Sequence, residues 1–380
     1  MGNLRYKLAF LITGIINNYN FIVVFSCAYL FSQNNPYINP SLIIFTEIVP
    51  GFLTQLLYPI ILIRFSYFSR FIFLYLIQII SSLCLLIRSD ANQELLFFSI
   101  ILVSINSYLG ESSILSLSSS YEQSEMKFWS IGTGFASLLG TGMFLLLNMF
   151  LPPKVIFSIN LIIYLVGYSI GLYLLDFRDH LDKINKVEEP VISELNQVPY
   201  EDFDLENREE TIEPPKTCKN KCGSVSSFFF DISFLCMGYF LAYFIGFLYV
   251  PVLAKSNLEY QISQFITRSG QFVGRLVGNY LPIHSVRMLN FLHIYSYVLI
   301  VVYTGLIIRA VNIPPVVINL TFFLSYVLIG IGYPLVYNHI YKNYLTDRDW
   351  YLGSVGQYTS FFTILGCVIG YPINQMWKNK

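Results

Sequence analysis

Three charged side chains lie inside strongly apolar segments of this sequence. Glu111 lies in an apolar, serine-rich segment, and Arg268 and Arg275 lie in another that also contains Gln271. Charges at membrane depth are costly, so such residues normally face a cavity, water or an opposite charge. Guanidinium groups suit phosphate and carboxylate groups because they present paired donors. A carboxyl group at the same depth is a candidate carrier of a proton or a cation.

The segment with the two arginines has a regular polar face. Its polar residues recur every three or four positions, on one side of a helix with about 3.6 residues per turn, and they are Gln261, Gln264, Arg268, Gln271, Arg275 and Asn279. Two interpretations stay open, namely an anion-binding wall or a structural ion pair with Glu111 or Glu47. Gly270, Gly274 and Gly278 repeat on an adjoining face, which predicts the close approach of a neighbouring helix.

The two carboxylates also have alternative interpretations. Ser104 and Ser107 share a helical stripe with Glu111, which favours either proton or cation coupling at Glu111 or a buried salt bridge. Glu47 precedes Pro50 in a polar turn near the predicted lumenal end of its segment. For Glu47 an exposed position at the membrane rim is slightly favoured over a role in proton transfer.

Other polar residues lie at membrane depth on two further segments. Asn17 and Asn18 are adjacent in the first, where asparagine commonly joins helices by hydrogen bonds, although one of the two could reach a cavity. Tyr337 belongs to a tyrosine stripe that favours packing over a binding site. Beside it, Asn338 and His339 lie near the predicted cytoplasmic end, where the imidazole either titrates near neutral pH or is simply solvated.

The composition restricts the class of protein. Of 380 residues, 55% are hydrophobic and only 12% are charged, whereas soluble domains carry about 25% charged residues. The sequence therefore predicts an all-α polytopic protein in a lipid bilayer. Its zero net charge gives no support for a nucleic-acid partner. No nucleophile–base set, metal cluster or phosphate loop is visible, so we expect neither an enzyme nor a cofactor.

A span needs about 20 mostly apolar residues, and this length predicts about eleven spans. They are 8–31, 41–63, 70–88, 94–119, 131–151, 154–175, 228–253, 260–282, 288–309, 315–340 and 353–376. The predicted organisation is a six-helix domain at 1–175, an acidic disordered linker at 176–227 and a five-helix domain at 228–380. Lys and Arg favour the side that holds the N-terminus and the linker, which predicts that both are cytoplasmic.

Four stretches of the chain resemble one known family, the battenins of lysosomes and vacuoles. They read FLITGIINNYN, TEIVPGFLTQLL, YLGESSILSLSSSY and FWSIGTGFASLLG. The most specific positions are Gly110, Glu111, Tyr121, Trp129, Ser130, Gly132, Thr133 and Gly134. In the tenth span the family pattern has a glutamate that this chain replaces within Tyr326–Leu328.

The resemblance implies an atypical major-facilitator-like fold of eleven helices in two pseudo-symmetric bundles. It also implies the membrane of a lysosome or vacuole, and roles in organelle pH, basic amino acids and the clearance of glycerophosphodiesters.

The leading hypothesis is a secondary transporter that exports a small anionic or zwitterionic metabolite from an acidic organelle. Arg268 and Arg275 would bind the anionic group, Gln271 would orient it, and Glu111 and Glu47 would carry protons. An equilibrative nucleoside transporter is one alternative. Another is a non-transporting scaffold that binds trafficking adaptors through its acidic linker.

Overall fold

The computed structural model describes residues 2–33, 38–58, 65–88, 93–119, 121–175, 256–281, 315–343 and 348–378, with separate positions between 228 and 244 and at 298 and 302. The long helices of this part are α1 (Gly2–Gln33), α2 (Pro40–Leu57), α3 (Tyr67–Ile87), α4 (Gln93–Ser118), α5 (Gln123–Asn148), α6 (Pro153–Leu175), α7 (Asn257–Tyr280), α8 (Pro315–Asn343) and α9 (Arg348–Lys378). The predicted linker and most of the spans at 228–253 and 288–309 lie outside the described residues.

Most helix bounds follow the apolar segments closely, but the start predicted for the fifth span is wrong. That helix begins at Gln123 rather than at position 131, and its first turns contain Glu125 and Lys127. A prediction based on apolar length excludes charged turns, whereas the hydrogen-bonded helix continues through them. The charged loop expected before this span is therefore much shorter than the sequence suggested.

Side-chain caps explain where several helices begin. The side-chain amide oxygen Oδ1 of Asn39 accepts a hydrogen bond from the backbone N–H of Leu42 at 2.7 Å, directly before the proline at the start of α2. Ser256 caps α7 in the same way, because its hydroxyl oxygen lies 3.2 Å from the backbone nitrogen of Glu259. Such caps satisfy N–H groups that have no partner inside the helix, so both starts are determined by local sequence.

Large apolar side chains cover the outer faces of α3 and α6. Leu76 on α3 is 52% exposed, and Ile162 on α6 is 62% exposed. Seven of the described helices, α1 to α6 and α8, are long and apolar enough to cross a membrane. An apolar outer face is the expected boundary with lipid. The prediction of an all-helical membrane protein is thus confirmed.

Glycines bring α1 and α5 together in the first half of the chain. A methyl group added at Gly14 would lie 2.8 Å from the carbonyl oxygen of Trp129, and one added at Gly132 would overlap the carbonyl oxygen of Leu11. The two halves then meet where α7 packs against α5 and where α9 packs against α2 and α4. The polar face of α7 is consequently turned toward the first half.

The predicted glycine face of α7 contacts α8 closely. Methyl groups added at Gly270 and Gly274 would overlap the carbonyl oxygens of Phe323 and Val327, and one at Gly278 would lie 2.8 Å from that of Ile331. The glycines of α7 and the carbonyl groups that they meet on α8 both recur every four residues. The two helices therefore remain in backbone contact for about two turns. This close approach fixes the direction in which the α7 arginines point.

Replacing Gly274 with alanine is expected to destabilise the protein by about 1–3 kcal/mol or more, since an added methyl group must push two backbones apart. Thermal unfolding of the purified variant in detergent measures the loss. Gly142→Ala is the matched control, because its added methyl group would meet only the side chain of Phe265, at 3.1 Å. Equal unfolding temperatures for the two variants would contradict the role of Gly274.

Candidate functional site

A cavity of about 610 Å³, counting its opening to solvent, lies between the two halves of the chain. Glu111 of α4 and three α7 side chains, Arg268, Gln271 and Arg275, line it together with Asn18 of α1. Hydroxyl groups supply much of the remaining wall, from Ser107, Thr133, Ser137, Thr359, Ser360 and Thr363. Charges from two distant parts of the sequence therefore face the same space.

Arg275 is held by α5 and α8. Its guanidinium donates a hydrogen bond to the Thr133 hydroxyl, and its central carbon lies 4.0 Å from the centre of the Tyr333 ring. Gly134 leaves room for the arginine stem, because a methyl group there would lie 3.0 Å from its Cδ. The Nε of Arg275 is buried with no hydrogen-bond partner among the described residues. This N–H donor is thus unsatisfied within the described part of the chain.

Arg268 lies two helical turns from Arg275 and is held mainly by aromatic rings. Its central guanidinium carbon lies 4.7 Å from the centre of the Phe25 ring and 5.8 Å from that of Tyr326. Its Nη1 donates to the side-chain amide oxygen Oε1 of Gln271 at 3.3 Å, and the Ser137 hydroxyl donates to the same oxygen at 3.2 Å. Gln271 therefore connects Arg268 to α5.

Glu111 is bound by a tyrosine from the other half of the chain. The Tyr333 hydroxyl donates to a carboxylate oxygen of Glu111 at 2.8 Å, while the ring of the same tyrosine lies beside Arg275. Within the described part of the chain, neither guanidinium forms an ion pair with a carboxylate. Direct contacts of the kind considered for Arg268 and Arg275 are thus absent from these residues, although Glu47 and Glu111 act on the two arginines electrostatically.

The two adjacent asparagines of α1 have different surroundings. Asn17 donates from Nδ2 to the Ser107 carbonyl oxygen at 2.9 Å, and Gly110 accommodates its side chain, since a methyl group there would overlap the Asn17 amide oxygen. Asn17 therefore joins α1 to α4, whereas Asn18 lines the cavity. Both interpretations of the pair hold, each for one residue.

Tyr337, Asn338 and His339 do not line the cavity. Tyr337 packs edge-on against Tyr333 with ring centres 4.7 Å apart, and a ring nitrogen of His339 lies 2.9 Å from the Asn343 amide nitrogen. Asn338 instead accepts a hydrogen bond from the Gln123 amide at 2.9 Å. It connects α8 to the start of α5, at one end of the boundary between the two halves.

Glu47 is not the exposed rim residue that its position suggested. Its side chain is 0% exposed, and both carboxylate oxygens are buried without a hydrogen-bond partner among the described residues. The prediction failed because the position of a residue along its own helix does not show which neighbouring helices cover its side chain. Here α1, α4 and α9 pack around α2.

Sequence reasoning missed several polar residues that the structure buries. Thr359, Ser360 and Thr363 of α9 line the cavity, but hydroxyl residues occur so widely in apolar helices that their sequence carried no distinct signal. Glu125 was missed because it lay in the segment taken as a loop, and it is 3% exposed. Recognising that α5 starts at Gln123 would have identified Glu125.

The positions of α5 and of the loop before it that carry the resemblance to the battenins have distinct packing roles. Trp129 is fully buried and Ser130 is 1% exposed. Tyr121 contacts the aromatic ring of Phe10 edge-on, with ring centres 5.1 Å apart. Gly132 meets α1, whereas Thr133 and Gly134 meet Arg275. This motif therefore fixes the α1–α5 contact on one side and positions a cavity arginine on the other.

Known structures share this architecture. A D-xylose–proton symporter aligns over 98% of this chain and 90% of its own, with a TM-score of 0.60 and 9% identity. The Major Facilitator Superfamily transporter FucP in its outward conformation aligns over 99% and 91%, with a TM-score of 0.50 and 13% identity. At these identities the likeness supports the predicted major-facilitator-like fold and says nothing of substrate.

Curated fungal relatives match part of the chain. Protein BTN1 of Yarrowia lipolytica is 28% identical over 174 residues, which is 45% of this chain and 43% of that protein. Protein btn-1 of Neurospora crassa is 30% identical over 142 residues, 37% of this chain and 30% of its own length. The matched segments thus span less than half of these relatives. The model of the CLN3 protein family, however, matches residues 8–377, so this chain belongs to the CLN3 family, the battenins.

Proposed function

We propose that this protein is a secondary transporter that moves a small anionic or zwitterionic solute through the cavity between its two halves. The observation that carries the proposal is the pair of buried arginines that line this cavity with no carboxylate oxygen of the described residues bonded to either guanidinium. Positive charge without a counter-ion is costly at this depth. A solute with a phosphate or carboxylate group would supply the missing negative charge.

The hydroxyl-rich wall favours a solute with polar groups besides its anionic one. Thr359, Ser360 and Thr363 face the space from α9, while Ser137 and Gln271 already bond to each other across α5 and α7. Hydroxyl groups can both donate and accept, so they suit a polyol. A glycerophosphodiester combines one anionic phosphate with several hydroxyl groups, and it fits this lining better than a purely cationic amino acid does.

The contacts between the halves suit alternating access. At one end, the Tyr341 hydroxyl donates to the Ser118 carbonyl oxygen at 2.6 Å and Gln123 bonds to Asn338 at 2.9 Å. Nearer the other end of α7, the Tyr260 hydroxyl donates to the Phe25 carbonyl oxygen at 3.0 Å. Hydrogen bonds of this kind can break and reform at low net cost. Rocking of the two halves would then expose the cavity to each side in turn.

Glu111 is the proposed proton carrier of the cycle, because it lies on the first half and is bound by Tyr333 of the second. Membership of the battenin family favours the membrane of a lysosome or vacuole, with the N-terminus in the cytoplasm and export from the acidic lumen. A role of the linker at 176–227 in binding trafficking adaptors remains a separate hypothesis, and it involves residues outside those described.

Reconstitution into liposomes tests this function. The purified protein is expected to carry radiolabelled glycerophosphocholine across the bilayer at a rate well above that of protein-free liposomes. Uridine serves as a neutral solute of comparable polarity, and labelled arginine as a cationic one. Uptake of uridine alone would favour the nucleoside alternative, and the absence of flux for all three solutes would contradict the proposal.

A further inference from the structure

Glu47 is a buried acid that the transport cycle described above does not use. It lies near the middle of α2, which runs from Pro40 to Leu57, and its side chain is 0% exposed. Both of its oxygens lack a hydrogen-bond partner within the described residues. It does not line the cavity. Among the described residues, Glu47 thus lacks the hydrogen bonds that normally stabilise a buried carboxylate.

An isolated negative charge at this depth is strongly unfavourable. Glu47 must accordingly be either protonated or compensated by a nearby cation. The Arg268 guanidinium lies 4.7 Å from the centre of the Phe25 ring of α1, and α1 packs against α2. Of the described groups that act on Glu47 electrostatically, Cys27 lies on α1, and Tyr260 and Arg268 lie on α7. Arg268 is the cation among them.

The other helices around α2 offer no competing charge in the described chain. From α4, Tyr108 packs beside Gly51, where an added methyl group would overlap its ring. From α9, Gln357 donates to the Gln55 backbone carbonyl at 3.1 Å. Neither is charged at neutral pH. The Tyr260 hydroxyl already donates to a backbone carbonyl of α1, so Arg268 is the group best placed to compensate Glu47.

Arg268 belongs to the cavity wall as well. It lines the space beside Gln271, its guanidinium packs against the rings of Phe25 and Tyr326, and its Nε has no hydrogen-bond partner in the described structure. Aromatic contacts of this kind favour a cation without neutralising it. The positive charge of Arg268 is thus shared between Glu47 on one side and the cavity on the other.

We propose that Glu47 is a proton-binding site that controls whether Arg268 is available to the anionic solute. When Glu47 is ionised, Arg268 acts as its counter-ion and attracts the solute weakly. When Glu47 takes a proton from the aqueous phase, its carboxylate becomes a neutral carboxylic acid and the charge of Arg268 is left for the solute. Proton and anion then favour each other's binding, as reciprocal coupling requires. The inference rests on the proposed transport function and adds a site of pH control to it.

The test compares wild type, Glu47→Gln and Glu47→Asp in liposomes with labelled glycerophosphocholine. For wild type, KM is expected to rise by about tenfold from mildly acidic to neutral pH, within the usual range of coupling between two sites. Glu47→Gln should keep the low KM at both pH values, because a neutral amide never competes with the solute for Arg268. Glu47→Asp retains an ionisable group and should restore the dependence. Glu94→Gln is the control, since Glu94 is exposed in the first turn of α4.

Infrared difference spectroscopy of the purified proteins gives a second measurement that needs no transport. A carboxylic acid band that appears on acidification should be lost in Glu47→Gln and retained in Glu94→Gln. Retention of the whole band in Glu47→Gln would overturn the proton site. Loss of the band with an unchanged pH dependence of KM would overturn the link to Arg268. If wild type carries no glycerophosphocholine, the proposed function fails, while the infrared band still decides whether Glu47 binds a proton.

Discussion

Replacing Arg275 with alanine is expected to reduce uptake of labelled glycerophosphocholine by about 30-fold or more, since loss of one buried partner of a charged hydrogen bond costs about 2–5 kcal/mol. Arg275 lines the cavity, so we expect its guanidinium to contact the solute directly. Uptake into liposomes measures the effect, and the rise in KM should exceed the fall in the maximal rate.

Two further variants define what Arg275 contributes. Arg275→Lys keeps the positive charge but lacks the planar guanidinium with its paired donors. It should therefore recover only part of the uptake. Arg88→Ala removes a guanidinium that packs against the Phe31 ring at 4.5 Å, outside the cavity, and should transport like wild type. If Arg275→Ala retains normal uptake while unfolding at the wild-type temperature, the anion contact assigned to Arg275 is wrong.

Glu111→Gln is expected to uncouple transport from the proton gradient. A glutamine still accepts the hydrogen bond from Tyr333, so the local geometry is preserved, but its amide cannot gain or lose a proton. Accumulation of solute driven by an imposed pH gradient should fall to the level measured without a gradient. Exchange of labelled for unlabelled solute at equal pH should continue, because exchange does not require a proton to be released.

The matched variant for this prediction is Tyr333→Phe. It removes the hydroxyl that binds Glu111 but leaves the carboxyl group and the ring beside Arg275. Gradient-driven uptake should therefore persist in Tyr333→Phe, at a reduced rate. Normal gradient-driven accumulation by Glu111→Gln would exclude this residue as the proton carrier.

Local sequence was sufficient for much of the architecture. Apolar length predicted the membrane helices, since about 20 residues are needed to cross the hydrocarbon core. The spacing of Arg268, Gln271 and Arg275 predicted a polar face on α7, because helical periodicity is a property of one segment. For the same reason, the glycine repeat on this helix predicted the close approach of a neighbouring helix, which the structure identifies as α8.

Other features depend on the packing between helices. They are the burial of Glu47, the different surroundings of Asn17 and Asn18, and the position of Tyr337 outside the cavity. Each depends on which helix lies opposite, and a single segment holds no information about its neighbours. The start of α5 also escaped prediction, because hydrogen bonding rather than hydropathy determines where a helix begins.

The sequence by itself determined that this chain is a helical membrane protein of the battenin family, with charges on its fourth and eighth predicted spans that need polar surroundings. Only the tertiary structure decided that those charges share a cavity and that Tyr333 connects Glu111 to Arg275. The physical reason is that the cost of burying a charge is encoded locally, whereas groups that offset this cost come from other helices. Thr133 for Arg275 and Tyr333 for Glu111 are both more than a hundred residues away in the chain.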